Sequence, residues 1–132
     1  MVRATARRRE GYTHEVEVSG HRLVLDEPEE SGGADAGPSP TRTLAAALAA
    51  CTAITTEMYA SRKGWDVGRL EVEVDMDYDG AVPSSFAVNL KLPRDLSSEQ
   101  VERLKTIAGR CPVHRILTQE RRATVTDRVE LV

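Results

Sequence analysis

Aromatic residues are scarce in this chain of 132 residues, of which they make up only 4%. Proteins that bind single-stranded nucleic acids use aromatic side chains as platforms on which bases stack, so this scarcity argues against such a surface. The net charge is −3, and the short basic cluster Arg7–Arg9 does not create a basic surface of useful size. We therefore expect no nucleic-acid partner.

Long hydrophobic runs are also missing. No stretch approaches the roughly 20 apolar residues that span a bilayer, and the first residues lead into strand-like alternation rather than a signal peptide. We therefore expect a cytoplasmic protein with no membrane partner. The length suits one domain over residues 1–132, and hydrophobic (40%) and charged (30%) residues are in ordinary balance.

The chain has only two cysteines, Cys51 and Cys111. In a reducing compartment such a pair is usually two free thiols, and a disulfide between them is usually redox-active. One thiolate would be oxidised to a sulfenic acid. The second thiol would then condense with this sulfenic acid to form a disulfide. Alternatively, both are small core residues, because free Cys is among the most buried residue types. Together with His114 they number too few for a zinc site, so we expect neither metal nor cofactor.

The most regular segment, residues 40–63, predicts one long helix around Cys51. Ser39 suits the N-cap, Pro40 the first helical position and Gly64 the C-terminal stop. Residues spaced three and four apart place the thiol on one apolar face, namely Leu44, Leu48, Cys51, Thr55 and Met58. Because the segment is almost uncharged from residue 43 to 56, we expect the helix to be buried on most sides.

The remaining segments predict an α+β domain with the order βββ–α–ββ–α–α–β. Period-two alternation predicts strands at residues 2–9, 13–18, 21–25, 70–78, 85–92 and 122–131, the first three of which form a meander over residues 1–25. Ser97 and Gln100 form a capping box. It opens a second helical region at 97–119, which contains Cys111 and must kink or restart at Pro112.

A buried thiol is a poor nucleophile, because desolvation raises its pKa, so Cys51 requires a nearby cation. Arg42 lies on the opposite face of the predicted helix and points away from the thiol. Better candidates are Arg7, Arg8 and Arg9 of the first hairpin, because a long side chain on an edge strand can reach over a helix.

Four stretches of the sequence together resemble the OsmC/Ohr family (osmotically inducible protein C and organic hydroperoxide resistance proteins) over nearly the full chain. They are G-G-A-D-A-G-P-S-P at 32–40, L-A-A-A-L-A-A-C-T-A-I-T at 44–55, M-Y-A-S-R-K-G-W at 58–65 and R-C-P-V-H-R-I-L at 110–117. The specific feature is a second Cys followed by Pro, combined with an Ala-rich helix around the first Cys. The resemblance implies an OsmC-like fold, in which antiparallel sheets wrap around two central helices in an intertwined homodimer.

The resemblance also implies a function. In this family the first Cys attacks an organic or fatty-acid hydroperoxide, the second Cys resolves the sulfenate, and a dithiol such as lipoamide recycles the enzyme. By position, Cys51 is the peroxidatic thiol and Cys111 the resolving thiol. Arg9, in the turn Arg9-Glu10-Gly11, matches the family's activating arginine. No cofactor is implied.

The chain departs from the family at the glutamate that orients this arginine, because the corresponding positions hold Thr41 and Arg42. The acidic loop residues Glu29, Glu30 and Asp35 are candidates for a substitute. Two functions therefore stay open: a two-cysteine organic hydroperoxide reductase, and a non-catalytic OsmC-like module that binds a small hydrophobic ligand or senses oxidation.

Overall fold

The computed structural model describes residues 1–132 and has the predicted α+β class. Its elements are β1 (Ala4–Glu10), β2 (Thr13–Val18), β3 (His21–Leu25), a 3-10 turn (Glu29–Ser31), α1 (Pro40–Lys63), β4 (Glu71–Asp79), β5 (Val82–Lys91), α2 (Ser98–Ala108) and α3 (Pro112–Leu117). The helix predicted over residues 40–63 is confirmed, and Ser39 caps it by accepting a hydrogen bond from the backbone of Arg42. None of the helices combines the length and the apolar character that crossing a bilayer requires.

The residues form two compact units. Unit 1 consists of residues 1–46 and 75–87, and unit 2 of residues 47–74 and 88–132. Helix α1 and strands β4 and β5 each contribute residues to both units. The assignment of residues 1–132 to a single domain stays a prediction.

Unit 1 contains the predicted meander, a three-stranded antiparallel sheet in the order β1-β2-β3. His14 on the central strand pairs with Arg8 on one side and with Leu25 on the other. The register shifts between Arg8 and Glu10, next to the turn that joins β1 to β2. The alternation in the sequence therefore predicted both the strands and their antiparallel order.

The carboxylate of Asp26 organises the loop after β3. Asp26 is only 2% exposed. It accepts hydrogen bonds from the Thr13 hydroxyl at 2.7 Å, the Glu27 backbone at 2.7 Å and the Ala36 backbone at 3.2 Å. The pKa of Asp26 lies below its ordinary value, mainly because of the hydrogen bond from Thr13. Burial raises this pKa, but the hydrogen bonds from Thr13 and the backbone together outweigh that effect. The carboxylate thus ties β2 to the loop that leads into α1.

Asp26→Asn should destabilise the fold at neutral pH, and the destabilisation should shrink in acid. The folded-state pKa of Asp26 is lowered, so its carboxylate stabilises the fold above the unfolded pKa of about 4 and stops doing so as the pH falls through the folded value. Urea unfolding of both proteins between about pH 7 and pH 2 measures this difference. A difference that does not change with pH would contradict the assignment.

Two glycines of the same loop lie against backbone. A Cβ on Gly37 would overlap the carbonyl oxygen of Val24, and a Cβ on Gly33 would overlap that of Glu27. Neither neighbour is a flexible side chain, so a larger residue must displace the backbone of the loop.

Gly37→Ala should therefore destabilise the protein by about 1–3 kcal/mol, the usual cost of overpacking. Gly109→Ala is the matched control, because its Cβ would lie 3.5 Å from the Thr106 carbonyl oxygen, an ordinary contact. The free energy of unfolding in urea should fall clearly for the first variant and by less than about 0.5 kcal/mol for the second. Equal losses would show that the close approach at Gly37 is not the cause.

Unit 2 contains a hydrophobic cluster of Ala60, Val67 and Leu104, surrounded by Tyr59, Trp65, Leu70, Leu92 and Leu96. Helix α2 contributes Leu104 to this cluster and begins at the predicted capping box. The Ser97 hydroxyl accepts from the Gln100 backbone at 3.1 Å, and the Gln100 side chain accepts from the Ser97 backbone at 2.9 Å. The capping box fixes where α2 begins, and Leu104 then lies completely buried.

The buried face of α1 differs from the predicted one. The buried residues are Leu48, Thr52, Thr56 and Ala60, whereas Met58 on the predicted stripe is 56% exposed. Ile54 is also exposed, so the expectation that α1 is buried on most sides is wrong within a single chain. Adjacent stripes of this helix both consist of small and apolar residues, and periodicity therefore does not distinguish between them.

The strand predicted at residues 122–131 is also absent, since residues 121–132 form no regular secondary structure. Val125, Val129 and Leu131 are 85%, 87% and 94% exposed. Alternation creates two different faces on an extended segment, but a strand also requires a neighbouring strand to which its backbone can bond. No strand of this chain pairs with these residues.

Candidate functional site

Both cysteines belong to unit 2, where α1 carries Cys51 and Cys111 directly precedes α3. Both are free thiols; Cys111 has no exposed surface, whereas Cys51 is partly exposed. The Cys51 thiol is a side-chain neighbour of Cys111. The two thiols are therefore neighbours, of which Cys51 is accessible and Cys111 is fully buried.

Cys111 is held by two hydrogen-bond donors from different helices. Its Sγ accepts from the His114 backbone N–H at 3.3 Å and so caps α3, which Pro112 begins at the first helical position. The Thr52 hydroxyl of α1, 1% exposed, donates to the same sulfur at 3.8 Å. The restart predicted at Pro112 is therefore confirmed, and it fixes the position of the sulfur.

The surroundings of Cys111 favour its neutral thiol. Burial is the main reason that its pKa is raised above the ordinary value, and the neighbouring Cys51 thiol raises it further. The hydrogen bonds from His114 and Thr52 act in the opposite direction without outweighing burial. A buried neutral thiol is a poor first nucleophile, and Cys51 is the more exposed of the two thiols.

A cavity of about 240 Å³ lies beside these donors and is lined by Thr52, His114 and residues of β5 and α2. The Nδ1 atom of His114 is buried and has no hydrogen-bond partner. No group of three or more His, Cys, Asp and Glu side chains in residues 1–132 is arranged to hold a metal ion.

Arg9 lies in unit 1, where its exposed guanidinium pairs with Glu15 of the neighbouring strand. Arg7 and Arg8 also have partners within the meander. Sequence reasoning missed Glu15 as the carboxylate for Arg9, although its place in the alternating strand β2 is compatible with cross-strand pairing. The activating role of Arg9 stays a prediction.

The two positions that replace the family's glutamate have other contacts. The Thr41 hydroxyl lies 2.8 Å from the Tyr78 hydroxyl, a hydrogen bond within unit 1. Arg42 is exposed, and its backbone N–H completes the cap of α1. Neither position supplies a carboxylate, so the only acidic partner that Arg9 contacts is Glu15.

Comparisons with known proteins agree with this architecture. Residues 32–126 match the family model described as OsmC-like protein. The structure resembles the OsmC-like protein of Mycoplasma pneumoniae with a TM-score of 0.77, at 19% identity, over 90% of this chain and 88% of the other. It also resembles the organic hydroperoxide resistance protein OsmC of Legionella pneumophila (TM-score 0.62, 21% identity, 87% of each chain). The organic hydroperoxide resistance protein OhrB of Bacillus subtilis is similar too (TM-score 0.55, 22% identity, 90% of each chain).

No curated protein sequence matches the chain. Structural similarity at these identities concerns the fold, whereas the match to the family model spans most of the sequence, including both cysteines and most of the loop before α1. The chain therefore belongs to the OsmC family.

Proposed function

We propose that this protein is a two-cysteine peroxidase that reduces organic hydroperoxides, fatty-acid hydroperoxides among them. Family membership and the hydroperoxide resistance proteins among its structural neighbours support a role in hydroperoxide resistance. The observation that carries the finer mechanism is the pairing of the accessible Cys51 with the sealed Cys111.

In the proposed reaction, the Cys51 thiolate attacks the terminal oxygen of the hydroperoxide. The O–O bond breaks, the alcohol leaves after taking up a proton, and Cys51 becomes a sulfenic acid. The sulfur of Cys111 then attacks the sulfur of Cys51, the S–O bond breaks, and water leaves as the disulfide forms. A dithiol reductant resembling lipoamide returns both thiols by exchange and is itself oxidised to a disulfide.

The two environments divide these roles. Cys51 is reached by the peroxide because it is partly exposed, whereas the sealed Cys111 is protected from direct oxidation. Burial keeps the resting Cys111 thiol neutral, and the hydrogen bonds from His114 and Thr52 stabilise the negative charge that its sulfur develops when it attacks during resolution or leaves during reduction.

Arg9 is the proposed cation that favours the Cys51 thiolate, and Glu15 is the carboxylate that orients it. Arg9→Ala should lower the second-order rate constant for oxidation of Cys51 by about tenfold or more, because a nearby cation stabilises the negative charge of a thiolate. Stopped-flow oxidation with an organic hydroperoxide measures this constant. Arg7→Ala is the control, and an equal effect of both variants would contradict a specific role for Arg9.

We also propose that the protein is a cytoplasmic homodimer in which the sheets wrap around the two central helices. The exposure of Ile54 and Met58 supports a partner for α1, because the two side chains lie one helical turn apart and adjoining exposed apolar groups mark interaction surfaces. Light scattering of the purified protein should give twice the mass of the 14.5 kDa chain, and a monomer would contradict the homodimer.

A second candidate is a non-catalytic module that binds a small hydrophobic ligand or senses oxidation. It is favoured by an apolar cavity of about 350 Å³ in unit 1, whose lining includes Tyr12, Val16 and Leu25. The absence of an acidic residue at Thr41 and Arg42 also favours it.

Cys111→Ser separates the peroxidase from the ligand-binding form of the second candidate. In this variant one equivalent of organic hydroperoxide should leave Cys51 as a sulfenic acid, which dimedone traps as one adduct per chain by intact mass. The wild-type protein should give almost no adduct, because Cys111 consumes the sulfenic acid. Unmodified thiols in both proteins would contradict the peroxidase and favour a module that binds a hydrophobic ligand.

A further inference from the structure

Cys111 must lose a proton whenever it becomes part of a disulfide, yet its side chain has no exposed surface. The proton therefore cannot pass directly to bulk water. The backbone N–H of His114 donates to the sulfur and has no lone pair with which to accept a proton, and the neighbouring Cys51 is the residue to which the sulfur bonds. The remaining partner of the sulfur is the hydroxyl of Thr52.

The Thr52 hydroxyl has the properties that a proton relay requires. A hydroxyl has one proton and two lone pairs, so it can accept from the thiol and donate to a second acceptor. Thr52 is buried on α1, and its own carbonyl accepts a hydrogen bond from the Thr56 hydroxyl at 2.8 Å. The Thr52 hydroxyl itself lies 3.8 Å from the Cys111 sulfur.

A destination for the proton lies beside Thr52. The 240 Å³ cavity that Thr52 lines has room for several water molecules, each of which occupies about 30 Å³ in the liquid. Val88 and Lys105 also line this cavity and are exposed, so it connects with solvent. Water in the cavity can therefore exchange protons with the bulk.

We propose that the Thr52 hydroxyl relays the proton of Cys111 to water in this cavity. The Cys111 S–H proton moves to the Thr52 oxygen as the hydroxyl proton moves to cavity water, and the sulfur bonds to Cys51. During resolution, the hydroxyl of the Cys51 sulfenic acid takes up a solvent proton and leaves as water. The peroxide step rests on the proposed function, but the relay serves any disulfide formation between the two thiols.

The aromatic disulfide DTNB tests the relay without a peroxide. The accessible Cys51 should attack DTNB first, releasing one thionitrobenzoate and leaving a mixed disulfide. Cys111 should then attack the Cys51 sulfur, releasing a second thionitrobenzoate and one proton. The second release does not depend on reagent concentration, so its rate reports the step in which Cys111 loses its proton.

Thr52→Val keeps the shape of the side chain and removes the hydroxyl, so the second release should slow by about tenfold or more. Thr52→Ser should restore it, and the first release should stay within about twofold in both variants. Loss of the second phase without rescue by serine would assign Thr52 to packing and overturn the relay, as would equal second-phase rates in the wild type and Thr52→Val.

Val88→Phe provides a second test that leaves Thr52 in place, because the larger ring fills the cavity. Val82→Phe is the matched control, since Val82 is an exposed residue of the same strand that does not line the cavity. The second release should slow in Val88→Phe only, and equal rates in these two variants would contradict the relay.

Hydroperoxide consumption is measured separately. A protein with a Thr52-dependent second release and no such consumption would refute the proposed function and leave the relay standing.

Discussion

Cys51→Ser is expected to abolish hydroperoxide reduction, lowering the rate by about 10³-fold or more, as removal of a catalytic nucleophile generally does. A serine hydroxyl is scarcely ionised at neutral pH and forms no sulfenic acid, so neither the attack on the peroxide nor the later disulfide is available. Peroxide consumption in the presence of a dithiol measures the loss.

Cys111→Ser is the control for Cys51→Ser, because it removes the neighbouring thiol and keeps the proposed nucleophile. It should still consume about one equivalent of hydroperoxide per chain in the first turnover, whereas Cys51→Ser should consume none. Consumption by Cys51→Ser at the wild-type rate would show that the chemistry does not begin at this thiol.

Leu104→Ala is expected to destabilise the protein by about 2–5 kcal/mol, the usual cost of removing a large side chain from a packed core. Leu104 is completely buried, and its cluster includes the buried Ala60 and Val67, whose smaller side chains fill less of the surrounding volume. The substitution therefore removes the largest of the three buried side chains of the cluster. The free energy of unfolding in urea measures the effect.

Val101→Ala on the same helix is the comparison, because Val101 is only partly buried and loses fewer atoms on truncation. Its cost should be clearly smaller, at about 1 kcal/mol. Equal losses at the two positions would mean that the cluster around Leu104 does not dominate the stability of unit 2.

Features that depend on local sequence were predicted well. The bounds of α1 follow from Ser39, Pro40 and Gly64, and the start of α2 from the capping box at Ser97. The restart of the helix at Pro112 follows from the missing backbone donor of proline. Each of these signals acts within one helical turn, so the sequence alone was sufficient.

Features that depend on distant contacts were not predicted. Thr52 was overlooked because its partner Cys111 lies 59 positions away in the sequence, and nothing in the Ala-rich pattern of α1 distinguishes its buried stripe. Glu15 was overlooked as the partner of Arg9 because the two residues lie on different strands, and the register of the strands decides which side chains meet. The segment 122–131 has a strand pattern but no strand beside it.

The most direct test of the proposed chemistry is a free-thiol count with intact mass, before and after one equivalent of an organic hydroperoxide, with hydrogen peroxide alongside. We predict that both thiols disappear rapidly with the organic hydroperoxide and that the mass falls by two hydrogens, as a disulfide between Cys51 and Cys111 requires. Two unchanged thiols would contradict the peroxidase and leave a member of the OsmC family without this chemistry.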